Sequence, residues 1–411
     1  MKSRFSMMAA LVAGAALALT ACGSSDSSAD KGAGGGTGEP YRVLVMGGLS
    51  ADGVLKNNAQ TSILSAKAGA ENVNRNGGVL GHKVEITVVD DGANPTVAVT
   101  KLREALASKS RPDLVLNSGP STIAAATLPI LKQNNVLSFN IGPTEDSADP
   151  AAFPLNFDLS ASPTDYAKGF VAYLQQKGYK SVGVIHGSSA YGVTFGQRIE
   201  KALTDAGITV VANEEYDVAA LDMTPQLQAI QAKNPEALVM DGYGGPVGYL
   251  LKSLEKLGWD IPVVGNNSMA ATGLISSKPP AGVLGTDQVK NLVMEVYIST
   301  RHDPADTRVN EAVKTMTALG EIPSTLINAY NYDALPLVAA AAEKAGTADD
   351  PKAIATALED PAVQEKAVTA ILPRYNFSAQ SHEPNVGADA FTFIAPSELK
   401  NGQFQPGESG Q

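Results

Sequence analysis

Cysteine is almost missing: one residue, Cys22, in 411. A chain with a single cysteine has no intramolecular disulfide to make, so its stability must come from packing. Histidine occurs four times, at His82, His186, His302 and His382, far apart and with no metal-ligating spacing such as H-E-x-x-H. No metal and no cofactor are therefore expected. The sequence has no G-x-S-x-G elbow and no G-x-x-x-x-G-K-[ST] loop. "GYGGPVG" spaces its glycines wrongly for a dinucleotide turn, and Asn266 and Asn267 end the next strand where a ribose-binding acid would stand. Asp90 and Asp91 are adjacent on a strand and face opposite sides, so they make a poor carboxylate pair. His186 ends a buried strand and reads as a packed side chain. These absences argue against an enzyme.

Basic residues are also scarce. Without Lys2 and Arg4, 29 Lys and Arg face 42 Asp and Glu, a formal charge of −13. An acidic body of this kind argues against nucleic acid as a partner. The apolar run from Met7 to Leu19 covers 13 residues, too few to cross a bilayer of about 30 Å. Behind Lys2 and Arg4 it fits the h-region of a secretory signal. Leu19-Thr20-Ala21-Cys22 then looks like a bacterial lipobox, in which the cysteine is acylated and becomes the new N-terminus. Residues 1–21 are expected to be the signal peptide. Residues 22–40, rich in Gly, Ser, Asp and Ala, are expected to be a flexible tether. The membrane contact is then through the lipid on Cys22 only, outside the cytoplasm.

From Tyr41 the pattern alternates. "YRVLVMGGLS", "HKVEITVVDD", "PDLVLNSG" and "VLSFNIG" read as strands; "NAQTSILSAKAGAENVNRNGG", closed by Gly77-Gly78, "PTVAVTKLREALASK" and "STIAAATLPILKQNN" read as helices. The rhythm restarts after "FPLNFDLSASP", with "KSVGVIHG", "ITVVANEEYD", "EALVMDGYGG" and "IPVVGNN" as strands between helices. A third segment, from "NLVMEVYIST" through "AEKAG", reads as largely helical, and "DAFTFIAP" as a last strand. Strands separated by helices mean βαβ units and parallel sheets. The prediction is an α/β chain with two doubly wound lobes. Six strand ends finish in small or polar residues, and two such sheets place those ends at a shared crevice.

"ENVNRNGGVLGHKVEITVVDDGANPTVAV" resembles the signature of the leucine/isoleucine/valine-binding protein family, the type I periplasmic-binding fold. "SGPSTIAAATLPILKQNNVLSFN", "VGVIHGSSAYG", "LVMDGYGGPVGYLLKSLEKLG", "NAYNYDALPLVAAAAEKAG" and "RYNFSAQSHEP" extend the match in order. The resemblance implies two doubly wound parallel-sheet lobes joined by a hinge: residues 41–158 with 296–380, and 159–295 with 381–411. It implies a monomeric receptor that closes on a small-molecule ligand and delivers it to the permease subunits of an ABC importer. A ligand sensor of the same fold acting through a partner protein is the alternative.

The resemblance also assigns site residues. Ser121 and Thr122, at a helix start, would meet a ligand carboxylate, or one of them would merely cap the helix. Gly142 and Thr144 would supply a carbonyl and a hydroxyl. Tyr191 would cover the ligand, and Tyr243 would form a wall. Asn267 of "VVGNNSM" stands where the amino-acid binders carry a glutamate that pairs with the ligand ammonium. Removing one partner of a buried ion pair costs about 3–5 kcal/mol, or two to three decades of affinity. Asp241 is the available substitute, although it also reads as a turn aspartate. Lys56 reads as a solvated lysine, and Trp259 as packing outside the site.

Overall fold

The structure is a computed structural model and describes residues 38–405. The signal peptide, Cys22 and the tether lie outside the described residues. A first sheet is wholly parallel, built from β1 (Tyr41–Gly47), β2 (Val84–Asp90), β3 (Leu114–Asn117), β4 (Leu137–Asn140) and β5 (Asn156–Asp158) in the order β2-β1-β3-β4-β5. A second holds β6 (Ser181–Gly187), β7 (Thr209–Tyr216), β8 (Ala237–Met240), β9 (Val263–Gly265), β10 (Leu292–Tyr297) and β11 (Phe391–Ile394). Its order is β11-β10-β9-β8-β6-β7, with only β11 antiparallel. Strands such as β3 (LVLN) and β8 (ALVM) are buried throughout because helices cover both faces.

The helices are α1 (Gly53–Arg75), α2 (Pro95–Leu106), α3 (Ser121–Asn134), α4 (Pro163–Lys177), α5 (Ala190–Asp205), α6 (Thr224–Gln231), α7 (Gly245–Leu257), α8 (Asn267–Ala270), α9 (Thr307–Leu319), α10 (Asn331–Ala345), α11 (Pro351–Leu358) and α12 (Pro361–Lys366). Their starts follow local chemistry. Asn94 accepts from the Thr96 and Val97 N–H groups, Ser162 from Asp165, and Ser189 from Gly192. Helix α1 starts ahead of the stretch that reads as helical, and closes through Gly78, whose N–H donates to the Val73 carbonyl (2.9 Å). Gly78 has φ +77° and would place a Cβ 2.2 Å from the His82 carbonyl oxygen, so only glycine fits. No helix among the described residues is long and apolar enough to cross a membrane.

One expectation fails. The segment read as largely helical begins with a strand: β10 lies between β9 and β11, buried along nearly its whole length. Leu292-Val293-Met294-Glu295-Val296-Tyr297 packs on both faces, so it shows neither strand alternation nor a helical stripe. The boundary read at residue 296 therefore falls inside β10. A closing ribbon, β12 (Leu399–Lys400) with β13 (Gln403–Phe404), packs on the first-lobe side: the His302 N–H donates to the Phe404 carbonyl (2.8 Å) and Leu326 to Gly402 (2.7 Å).

The chain passes between the lobes three times, from β5 to α4, from β10 toward α9, and from α12 to β11. Acids gather there. Asp158 is buried, accepts from Asn140, Asn156 and the Ser147 hydroxyl (2.6 Å), and is pushed up to about 7 by burial. Glu383 is also pushed up to about 7, by burial and then by Asp165, against Arg198 and Lys168. Both groups prefer their proton in the folded state. Their stabilising contribution is complete below the unfolded values near 4 and is lost as pH rises through about 7. The melting temperature is expected to fall between about pH 4 and pH 7, and Glu383→Gln to flatten part of that fall in a calorimetric pH series. A fall of unchanged size in the variant would remove Glu383 from this account.

Candidate functional site

A cavity of ≈ 280 Å³ lies between the carboxyl ends of the two sheets. The first lobe lines it with Gly119 to Thr122 after β3 and Ile141 to Pro143 after β4. The second lines it with Ser189 and Tyr191 after β6, Asp241, Tyr243 and Gly245 after β8, and Asn267 and Ser268 after β9. These are the switch points where the strand order reverses, β1/β3 and β6/β8, and their immediate neighbours. A larger hollow of ≈ 460 Å³ between α3 and α11 lies at the amino ends of β4 and β5, away from the carboxyl ends, and draws on one lobe alone.

Six of the seven residues singled out from sequence meet in the cavity: Ser121, Thr122, Gly142, Tyr191, Tyr243 and Asn267. Thr144 does not line it. The chain turns away at Pro143, and the Thr144 N–H donates to the Ser147 hydroxyl (2.8 Å). Neither Ser121 nor Thr122 caps α3: Pro120 occupies the cap position and offers no acceptor side chain. The first N–H groups of α3 are thus left for another acceptor. The Ser121 Oγ instead accepts from the Tyr191 N–H (3.1 Å), a bond between the two lobes. Helix α7 also starts without a side-chain cap, and its Gly245 and Pro246 line the opposite wall. Lys56 is exposed and does not line the cavity. Trp259 is half-buried against the main core, also outside the cavity.

Tyr191 lines the cavity, but its hydroxyl is buried and makes no hydrogen bond, although Ser268 lies beside it. Burial holds this hydroxyl well above the ordinary tyrosine range, so it stays neutral. The Tyr243 hydroxyl reaches across to α1 and donates to the Asn58 side-chain oxygen (3.2 Å), with that amide turned so that its nitrogen donates to the Ala271 carbonyl (3.0 Å). Asn328 also donates to that carbonyl (2.8 Å). Gly244 has φ +69°, and Leu55 of the other lobe lies 3.1 Å from where its Cβ would stand.

Asp241 behaves as an anchor. One carboxylate oxygen accepts from the Asn266 amide (2.7 Å) and the other from the Gly187 N–H (3.2 Å), which ties the loops after β6 and β9 to β8. Burial raises its pKa against those two bonds. It is the single acid in the lining, and no Lys, Arg or His lines the cavity among the described residues. His186 is packed, as expected: its ring fills the space beside Gly196, where a Cβ would meet it at 2.2 Å.

Several contributors carried no local signal. Tyr330 lines the cavity from just before α10, and Asn331 donates to the hydroxyls of Ser118 (2.7 Å) and Ser62 (3.0 Å), which steadies the loop after β3. Both lie in "NAYNYDALP", a stretch that carried the resemblance but no site assignment.

A family model described as "Periplasmic binding protein" matches residues 42–393. Relatives include the Leu/Ile/Val-binding protein BraC3 of Rhizobium johnstonii, 25% identical over 74% of this chain and 78% of that protein. The leucine-, isoleucine-, valine-, threonine- and alanine-binding protein of Pseudomonas aeruginosa is 24% identical over 70% and 74%. Among solved structures, a type 1 periplasmic binding protein from Bordetella pertussis superposes with TM-score 0.73 at 22% identity, covering 88% of this chain and 97% of that one. A leucine-binding protein, LivK, from Thermotoga maritima gives 0.67 at 18%, covering 87% and 99%. With this match over most of the chain and two sheets facing one cavity, the chain belongs to the Leu/Ile/Val-binding family of periplasmic binding proteins, whose members are binding proteins rather than enzymes, and is an extracytoplasmic solute-binding protein.

Proposed function

We propose that the protein is the binding subunit of an ABC importer, closing two lobes on a small polar solute and delivering it to the permease. The solute belongs to the amino acid, amide or carboxylic acid type, with compounds lacking an α-ammonium preferred over branched-chain amino acids. One observation carries this reading: a two-sided cavity holding no side-chain cation and a single acid, Asp241, whose oxygens are both engaged. An ammonium buried there would have only the Asp241 carboxylate as counter-charge, already accepting from Asn266 and Gly187, and would be less well compensated than beside an uncommitted acid. The starts of α3 and α7, one from each lobe, favour oxygen-rich or anionic groups instead. The protein acts as a monomer, moored near its permease by lipid on Cys22; no helix among the described residues is long and apolar enough to hold it at the membrane by spanning.

Calorimetric titration with leucine, isoleucine and valine is expected to show affinities about two to three decades weaker than those of a receptor with a paired ammonium. Tight binding of any of the three overturns the ligand preference. Deleting the gene is expected to abolish uptake of the solute; intact uptake with an altered response would favour the sensing role.

A further inference from the structure

We infer that Asn267 selects a solute whose second-lobe end is a neutral N–H donor, a primary carboxamide or urea-type group, and rejects both ammonium and carboxylate there. This rests on the reading of the cavity as the solute site.

A chain of buried hydroxyls fixes the Asn267 amide. The Ala161 N–H donates to the Tyr297 hydroxyl oxygen (2.7 Å). Tyr297 lies 2.8 Å from the Tyr166 hydroxyl, and Tyr166 lies 2.9 Å from the Ser160 Oγ. The Ser160 hydroxyl donates to the Ala161 carbonyl (3.4 Å). The protons then run in one direction: Tyr297 donates to Tyr166, Tyr166 to Ser160, and Ser160 to the backbone. The Tyr166 oxygen has spent its proton and can only accept from Asn267. The Asn267 Nδ2 fills that place (3.0 Å) and also donates to the Tyr330 hydroxyl (3.1 Å). Turning the amide over would set its oxygen against the Tyr166 oxygen. Both amide protons are therefore committed.

What is left is the Asn267 Oδ1. The residue is 4% exposed and lines the cavity, and this oxygen has no partner in the protein. A buried acceptor without a donor is costly, so a solute that brings an N–H here relieves it. An amide oxygen carries no full charge to balance an ammonium, and the Asp241 carboxylate is held by bonds from Asn266 and Gly187 to the loops after β9 and β6. A carboxylate at this end would face the Oδ1 lone pairs.

The test is calorimetry on the full protein with three ω-carboxamide acids (succinamate, glutaramate and adipamate), their ω-ammonium analogues of matched chain length, and the corresponding dicarboxylates. At least one carboxamide is expected to bind about 100-fold tighter than its ammonium and dicarboxylate counterparts. Asn267→Asp is expected to invert the order toward the ammonium compound. Tyr166→Phe, which removes the proton relay and frees the amide to turn, is expected to shrink the carboxamide-to-ammonium ratio about tenfold while the protein stays folded by thermal melting. Equal or better binding of the ammonium or dicarboxylate compounds overturns the inference, as does an unchanged ratio in Tyr166→Phe. If no carboxamide binds but a thermal-shift screen of mixed solutes finds another ligand, the inference falls and the proposed function stands. If the whole screen is silent, both fall.

Discussion

Gly142→Ala is expected to abolish tight solute binding without unfolding the protein. A Cβ at this position would stand 2.6 Å from the Ser121 nitrogen, 2.8 Å from the Pro120 carbonyl carbon and 3.0 Å from the Gly119 oxygen. All three are backbone atoms, so no side-chain rotation relieves the clash, and the first turn of α3 has to move. That turn holds the uncapped N–H groups facing the cavity and the Ser121 hydroxyl that accepts from Tyr191 across the cleft. Losing about two such bonds at roughly 1.5 kcal/mol each costs about two decades of affinity. Calorimetric titration with any solute found for the wild type reads the change, and an unchanged dissociation constant would remove the α3 start from the site. The strand β4 beneath is fully buried and separate from the clash, so the melting temperature should move little.

The largest stability effect is expected at Asp333→Ala. Asp333 is fully buried on α10, and its carboxylate accepts from the N–H groups of Ala370, Ile371 (2.9 Å) and Leu372 (3.2 Å) and from the Tyr375 hydroxyl (2.6 Å). One side chain thus holds the segment that leads from α12 toward the third crossover. Burial pushes its pKa up to about 6, against those four bonds. Alanine leaves four buried donors with nothing to donate to, at about 1–3 kcal/mol each before relaxation. A net loss of about 4 kcal/mol is expected, a large part of a typical stability of about 5–15 kcal/mol. Urea unfolding should show a lowered midpoint with an unchanged slope. A loss under about 1 kcal/mol would mean that the segment is held by other contacts.

What the sequence disclosed follows from which interactions are local. Each βαβ unit is a contiguous stretch, so its strand, loop and helix left readable periods, and the loops after β3, β4, β6, β8 and β9 announced the site through Gly, Ser and Asn. β10 was hidden because a strand packed on both faces has no alternation, and its place between β9 and β11 depends on pairing across nearly a hundred residues. Thr144 was misplaced because a strand end predicts where a loop begins and not where a proline turns it away. The Asn267 partners were illegible for a stronger reason. Tyr166 and Tyr330 reach Asn267 from 101 and 63 residues away, the first from α4 just beyond a crossover and the second from just before α10. No spacing rule connects them, and only the folded crossovers bring three tyrosine hydroxyls and one amide into contact.

The glutamate-to-asparagine departure shows the same division. The resemblance implies a missing charge at position 267. The direction of the amide, which decides what the missing charge leaves behind, is set by Ser160, Tyr166 and Tyr297.

In solution, the two lobes are expected to shut on one small solute. Small-angle X-ray scattering of the protein, alone and saturated with a solute identified by thermal shift, tests it most directly. A smaller radius of gyration in the saturated sample, lost in Gly142→Ala, is the expected result. A saturated protein whose scattering profile matches that of the free protein would contradict the account.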